Sequence, residues 1–78
     1  MTAIQRTKFE VAPADHGWIV MREGLGRDST HPTKEAAVQR GVELARARQP
    51  SVLLIRKQDG SVQETRSYGR DVSRLLKS

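Results

Sequence analysis

The chain contains no cysteine, and its 78 residues include only one tryptophan, one tyrosine and one phenylalanine. Without cysteine, neither a disulfide nor a thiolate metal site can stabilise the fold. The longest aliphatic run is the segment Val52-Leu53-Leu54-Ile55, which is far shorter than a membrane span or the apolar region of a signal peptide. We therefore expect a small cytoplasmic domain with a thin core and no membrane association.

The residues needed for a metal or catalytic site are also scarce. The chain has two histidines, His16 and His31, both in segments that favour loops. A zinc site would need further ligands at a defined spacing, and the sequence offers none. Ser29 and His31 are too close in sequence to favour a nucleophile with its base. We expect no enzyme activity, no catalytic residue, no metal and no cofactor.

One segment has an unambiguous helical pattern. Between Thr33 and Gln49, apolar and small residues recur at helical spacing on one side, with Gly41 at the centre of that side. Thr33 is a suitable N-cap, and Pro50 prevents the helix from continuing. A glycine inside a helix costs about 1 kcal/mol relative to alanine. We therefore interpret Gly41 as a point of close approach between this helix and a sheet.

Four segments favour strands, two before the helix and two after it. Alternating or β-branched residues mark them, and they are Lys8–Val11, Trp18–Arg22, Val52–Lys57 and Val62–Tyr68. A two-residue Asp59-Gly60 turn would join the last two and pair Lys57 with Val62 and Ile55 with Glu64. A short extra strand near Ser29 and Thr30 is an open alternative.

These elements predict an α+β fold in the order β-β-α-β-β. An antiparallel sheet made of two hairpins would pack one face on a single central helix. We expect a flexible N-terminal tail over residues 1–7, one domain over residues 8–69 and a C-terminal tail over residues 70–78.

Strand alternation also predicts a second apolar sheet face, on the side away from the helix. It would carry Ile19 and Met21 from the first hairpin, with Val52 and Leu54 from the second. A sheet that is covered on one side only should alternate more cleanly than this. We expect a second copy of the chain to cover this face by dimerisation, or else the C-terminal apolar residues Val72, Leu75 and Leu76.

The formal net charge of +5 is concentrated in the second half of the chain. Such asymmetry favours an anionic partner, either nucleic acid or an acidic protein. Arginine suits phosphate because its planar guanidinium donates paired hydrogen bonds. The candidate nucleic-acid-binding residues are Arg46, Arg56, Lys57, Arg66 and Arg70.

Several short motifs occur together in a familiar order. They are Gly17-Trp18 before a strand, Thr33-Lys34-Glu35-Ala36-Ala37 at the start of the helix, Asp59-Gly60 in a turn, and Arg66-Ser67-Tyr68-Gly69 at the end. In this set the chain resembles a family of small bacterial proteins known as domain of unknown function 2188. The resemblance implies a compact domain of hairpin, helix and hairpin, and it implies no activity. Members often have a proline soon after the last glycine, where this chain has Asp71 and Val72.

We therefore expect a non-enzymatic binding module that engages an acidic partner such as nucleic acid through its basic second half. The alternative is a protein-interaction module that self-associates through the apolar face formed by Ile19, Met21, Val52 and Leu54.

Overall fold

A computed structural model describes residues 6–69 of the chain. Within this range, one helix and five strands follow each other in the order β-β-β-α-β-β. The strands are β1 (Thr7–Ala14), β2 (Gly17–Arg22), β3 (Gly26–His31), β4 (Ser51–Arg56) and β5 (Val62–Tyr68), and the helix is α1 (Lys34–Ala47). Thr7 thus belongs to β1, whereas residues 1–5 and 70–78, which include Arg70 and the apolar tail residues, lie outside the described part.

The five strands form one mixed sheet in the order β3-β2-β1-β4-β5. The β1–β2, β2–β3 and β4–β5 pairs are antiparallel, but β1 and β4 run parallel, with Thr7 opposite Ser51 and Val11 opposite Ile55. The expected antiparallel sheet of two hairpins in the order β-β-α-β-β is therefore wrong.

The third strand explains why the central pair is parallel. β3 reverses the chain once more after the first hairpin, so the chain enters α1 at the end of the sheet opposite to the start of β1. The helix then returns the chain to the end where β1 begins, and β4 sets out in the same direction as β1. An even number of strands before the helix would have made this pair antiparallel. The sequence of β3 is polar and does not alternate with apolar residues. Periodicity therefore left a strand near Ser29 and Thr30 only as an alternative.

Strand β1 also continues past Val11, its predicted end, and includes Pro13. Pairing between β1 and β4 stops at Val11, while pairing between β1 and β2 continues to Ala14. Pro13 therefore lies where one edge of β1 is unpaired, and a proline is tolerated at such an edge.

The helix begins and ends for local reasons. The side chain of Thr33 accepts a hydrogen bond from the backbone N–H of Ala36 at 3.2 Å, which confirms Thr33 as the N-cap. The helix ends at Ala47, two residues earlier than Gln49, and Arg48 is its C-cap. Ser51, the first residue of β4, is fully buried and donates a hydrogen bond from Oγ to the Ala45 carbonyl at 2.5 Å.

The core lies between α1 and one face of the sheet. Alternate residues of β1, β2 and β4 supply its large side chains, and α1 supplies small ones; the buried apolar residues are Phe9, Val11, Trp18, Val20, Ala37, Ala45, Leu53 and Ile55. Gly41 is buried among them, and a Cβ built on it would lie 2.9 Å from Leu53 Cδ1 and 3.2 Å from Val11 Cγ2. The close approach of helix and sheet at Gly41 is confirmed.

The second hairpin differs from the expected register near its turn. Ile55 pairs with Glu64 as expected, but an irregularity follows and Arg56, not Lys57, pairs with Val62. In the turn, Gly60 has a positive φ of 91° and Asp59 does not, so this is not the turn in which both central residues need positive φ. Instead, the Asp59 carboxylate accepts hydrogen bonds from Ser61 N and Oγ at 2.9 and 2.7 Å, and these bonds lower the pKa of Asp59.

Candidate functional site

The sheet face opposite α1, here called the open face, is apolar at its centre. Ile19, Met21, Val52 and Leu54 alternate along β2 and β4 with the buried core residues, and each is half-buried. Met21 and Leu54 flank Glu10 of β1 from its two sides. The predicted position of these four side chains, on the side away from the helix, is confirmed, and their role in self-association remains a prediction.

One ion pair crosses the open face. Arg56 donates a hydrogen bond from Nε to Glu10 Oε2 at 2.5 Å, and its Nη1 donates to the Gly60 carbonyl at 2.8 Å. The exposed fractions of the two side chains are 30% for Arg56 and 22% for Glu10. Arg56 is therefore engaged inside the molecule, which makes it a poor choice for a phosphate contact.

On the other side of the sheet, a groove of about 670 Å³ separates α1 from β5. The helix packs on the first four strands and leaves β5 largely uncovered. Val38, Val42 and Ile55 form the apolar part of the groove. Its charged lining consists of Lys34, Arg46 and Arg66 with Glu35, Glu43 and Glu64, so opposite charges balance along it.

Two of the basic groups in this groove have partners within the chain. Arg66 Nε donates to Glu64 Oε2 at 2.7 Å, and this bond lowers the pKa of Glu64. Lys34 Nζ donates to the Gln63 side-chain carbonyl and lies 5.3 Å from the centroid of the Trp18 ring. Arg46 makes no ion pair with any residue in the range 6–69.

The candidate basic residues from the sequence do not meet on one surface. Arg46 and Arg66 line the groove on the helix side, whereas Arg56 lies on the open face. Lys57 is in the exposed turn after β4, and Arg70 lies outside the described residues. The set predicted from charge in the second half of the chain is thus spread over three surfaces.

A different basic cluster forms at one end of the sheet, which we call the basic end. This is where β1, β3 and β4 begin and where β2, β5 and α1 finish. Its basic residues are Arg6, Lys8, Arg22, Arg27, Arg46 and Arg48. Five of them are exposed and Arg22 is half-buried, and none forms an ion pair with a residue in the described range.

Among residues 6–69, acidic residues are sparse at the basic end. Glu23 follows β2 there, and its backbone N–H donates to the Lys8 carbonyl at 2.9 Å. Glu23 and Glu10 line a shallow hollow of about 240 Å³ together with Lys8 and Arg22. Glu10 is already paired with Arg56, so Glu23 is left facing several cations. An electrostatic field that attracts anions follows from this arrangement.

Sequence reasoning missed the basic end because its members come from both halves of the chain. Arg6, Lys8, Arg22 and Arg27 lie in the first half, whose formal charge sums to zero. Among the acids of that half, Asp15 is in the β1–β2 turn at the other end of the sheet, while Asp28 and Glu10 are bound to Arg40 and Arg56. These residues can be grouped only when the direction of each strand in the sheet is known.

Ser29 and His31 contact each other although they are only two positions apart in the sequence. Both lie on the helix side of β3, and Ser29 Oγ is 2.8 Å from His31 Nε2. No side chain in the described range hydrogen-bonds to the other ring nitrogen of His31. Neither residue lines the groove between α1 and β5 or the hollow at the basic end. The contact therefore lacks the orienting third group and the cleft of a nucleophilic site.

Residues 6–69 contain neither a cluster of metal ligands nor a membrane-spanning helix. No group of three or more metal-ligating side chains comes together in that range. The only helix found there, α1, has 14 residues, and no described helix is long and apolar enough to span a membrane.

Comparison with known proteins gives one match. No curated protein and no solved structure matches the chain. A family model described as an uncharacterized protein conserved in bacteria matches residues 9–68, a range that runs from the first core residue of β1 to the last residue of β5. The chain therefore belongs to this bacterial family, domain of unknown function 2188.

Proposed function

We propose that this chain is a small, non-enzymatic, cytoplasmic binding module that engages nucleic acid through its basic end. The observation that carries the proposal is the convergence of Arg6, Lys8, Arg22, Arg27, Arg46 and Arg48 at one end of the sheet, without ion-pair partners in the described range. Arginine and lysine side chains in such a cluster can each neutralise a phosphate and release a bound counterion.

The side chains available at the basic end favour contacts with the phosphate backbone of a nucleic acid over contacts with its bases. Phe9 and Trp18 are buried beneath α1, and Tyr68 packs against the same core. No aromatic ring in the described range lies on the open face or is exposed at the basic end to stack on a base. We therefore propose weakly sequence-specific binding dominated by phosphate contacts.

The experiment measures binding to short DNA and RNA duplexes by fluorescence anisotropy at a series of salt concentrations. On B-form DNA, the logarithm of the affinity should fall with the logarithm of salt concentration with a slope of about −0.9 per neutralised phosphate. The triple variant Arg22→Ala, Arg27→Ala, Arg48→Ala should bind more weakly with a shallower slope. The matched control is Lys34→Ala with Lys57→Ala, which removes two cations at the opposite end of the sheet, where α1 begins and β4 finishes.

Two results would overturn the proposal. One is the absence of binding to either nucleic acid at about 50 mM salt, where phosphate contacts are strong. The other is an equal loss of affinity in the triple variant and in the control, because the basic end would then have no special role. Binding to an acidic protein but to no nucleic acid would assign the same end to a different class of partner.

The open face supports a second function, which is self-association. Ile19, Met21, Val52 and Leu54 come from two strands on either side of β1 and are only half-buried. The charged pair among them, Glu10 and Arg56, is already satisfied within the chain, so covering the face would leave neither charge unpaired. A second copy is the simplest cover, because a two-fold dimer needs only one self-complementary surface.

Sedimentation of the wild type and of Leu54→Glu tests this second function. A charge at the centre of the open face should prevent stacking, and the variant should sediment as a smaller particle than the wild type. Gln58→Glu, which adds the same single charge in the exposed turn after β4, is the control. A wild type and a Leu54→Glu variant of the same size would exclude stacking through this face.

A further inference from the structure

The strand β5 lies at one edge of the sheet, and its outer edge has no partner strand in the described range. Its seven residues contain neither lysine nor proline, and its two charged residues, Glu64 and Arg66, bond to each other, so the edge carries no uncompensated charge of the kind that protects an edge from pairing. The opposite edge, β3, is interrupted by an irregularity opposite Val20 and Met21. In β5 the only irregularity lies at the start of the strand, between the partners of Ile55 and Arg56. β5 is therefore the edge that is open to a further strand.

We propose that β5 pairs with β5 of a second copy of this chain, antiparallel and centred on Thr65. In this register Glu64 faces Arg66 of the partner subunit, and Arg66 faces the partner's Glu64. Opposite charges placed directly across two strands stabilise the pair, and the two-fold axis produces this contact twice.

The charges also exclude the neighbouring registers. A two-fold axis perpendicular to the sheet keeps both helices on the same side of the joined sheet. Residues directly opposite each other must then come from the same face of each subunit's sheet, so the axis passes between the two copies of one residue. In a register centred on Glu64, the two copies of this carboxylate would face each other across the strands. In a register centred on Arg66, the two guanidinium groups would face each other. Like charges directly across a strand pair are destabilising. Thr65 is the centre between them at which every charge meets its opposite.

The groups that would form these contacts are exposed and correctly placed. The exposed fractions of the Arg66 and Glu64 side chains are 42% and 41%, and within one chain they bond to each other at 2.7 Å. An exposed pair of this kind contributes little by itself, so it can be shared with a partner at little cost. Both side chains also line the groove between α1 and β5. Pairing would join the grooves of the two subunits into one continuous channel between their helices.

This contact uses a surface different from both the basic end and the open face. It is therefore tested in the Leu54→Glu background, where stacking through the open face is disabled. The variants are Glu64→Arg, Arg66→Glu and the double exchange, with circular dichroism to verify folding. Sedimentation equilibrium at about 1 to 100 μM measures a micromolar dissociation constant, which corresponds to a binding free energy of about −8 kcal/mol.

The expected results follow from the charges at each position. The Leu54→Glu protein should dimerise, and either single exchange should raise its dissociation constant at least about tenfold, since it opposes like charges at both contacts. The double exchange should restore the homodimer. An equimolar mixture of the two single variants should form a heterodimer, because all facing charges are then complementary.

Three results would overturn the inference. The Leu54→Glu protein could be monomeric throughout the concentration range, the single exchanges could leave dimerisation unchanged, or the mixture could fail to associate. Because the mixture uses the same two chains that fail alone, its association cannot be attributed to a change in folding. None of these results bears on nucleic-acid binding by the basic end.

Discussion

Arg56 on β4 and Glu10 on β1 form an ion pair across the open face, with Nε and Oε2 separated by 2.5 Å. This pair ties together two central strands that run parallel and are far apart in sequence. It also explains why Arg56, a natural candidate for a phosphate contact in the sequence, is better described as part of the fold.

The first prediction separates these two roles of Arg56. Arg56→Ala should lower the free energy of unfolding by about 1 kcal/mol, because it leaves the Glu10 carboxylate without its partner on an apolar face. Lys57→Ala, next in the chain but in an exposed turn, should change it by less than about 0.5 kcal/mol. Urea denaturation measures both. Equal effects of the two substitutions would contradict the structural role of Arg56.

The second prediction concerns the contact between α1 and the sheet. Gly41→Leu should destabilise the fold by about 1–3 kcal/mol, because the new side chain must displace Leu53 and Val11. Ala47→Leu, at an exposed position of the same helix, should be close to neutral and serves as the control. A denaturation midpoint that Gly41→Leu leaves unchanged would place Gly41 away from the core.

The third prediction concerns the end of the helix. Ser51→Ala removes the buried hydrogen bond from Oγ to the Ala45 carbonyl, and we expect a loss of about 1 kcal/mol in the free energy of unfolding. Thermal denaturation beside Ser67→Ala, an exposed serine of β5, measures the difference. If the two variants have the same melting temperature, the Ser51 hydrogen bond contributes nothing to the stability of the fold.

The fourth prediction concerns acid stability. Arg40 Nε donates to Asp28 Oδ2 at 2.9 Å, and this hydrogen bond lowers the pKa of Asp28 below its ordinary value. The unfolded state therefore binds more protons than the folded state as the pH falls through the ordinary range of aspartate, near 4. The stabilisation from Asp28 is present above that pH and is lost progressively below it.

Urea titrations at pH 6 and pH 3 measure this dependence. Asp28→Asn should lose less stability than the wild type between the two values, because its side chain has no proton to gain. Asp15→Asn, in the exposed β1–β2 turn, should behave as the wild type does. If Asp28→Asn loses as much stability as the wild type, the Asp28–Arg40 pair does not contribute to acid sensitivity.

The sequence by itself determined the elements that depend on near neighbours. Thr33 caps the helix through a residue three positions away, and β5 begins and ends where its pattern does. The alternation along β2 and β4 correctly separated Trp18 and Leu53, which face the helix, from Ile19 and Leu54, which do not. These features follow from backbone geometry that repeats every two residues in strands and every 3.6 in helices.

The tertiary structure decided what depends on distant parts of the chain. The polar strand β3 has no periodic signal, yet its presence reverses the chain and makes β1 parallel to β4. That direction places Arg22 and Arg48 at one end of the sheet and pairs Arg56 with Glu10. Charge counted along a chain gives no such grouping, because long-range electrostatics depends on where the strands and the helix end in space.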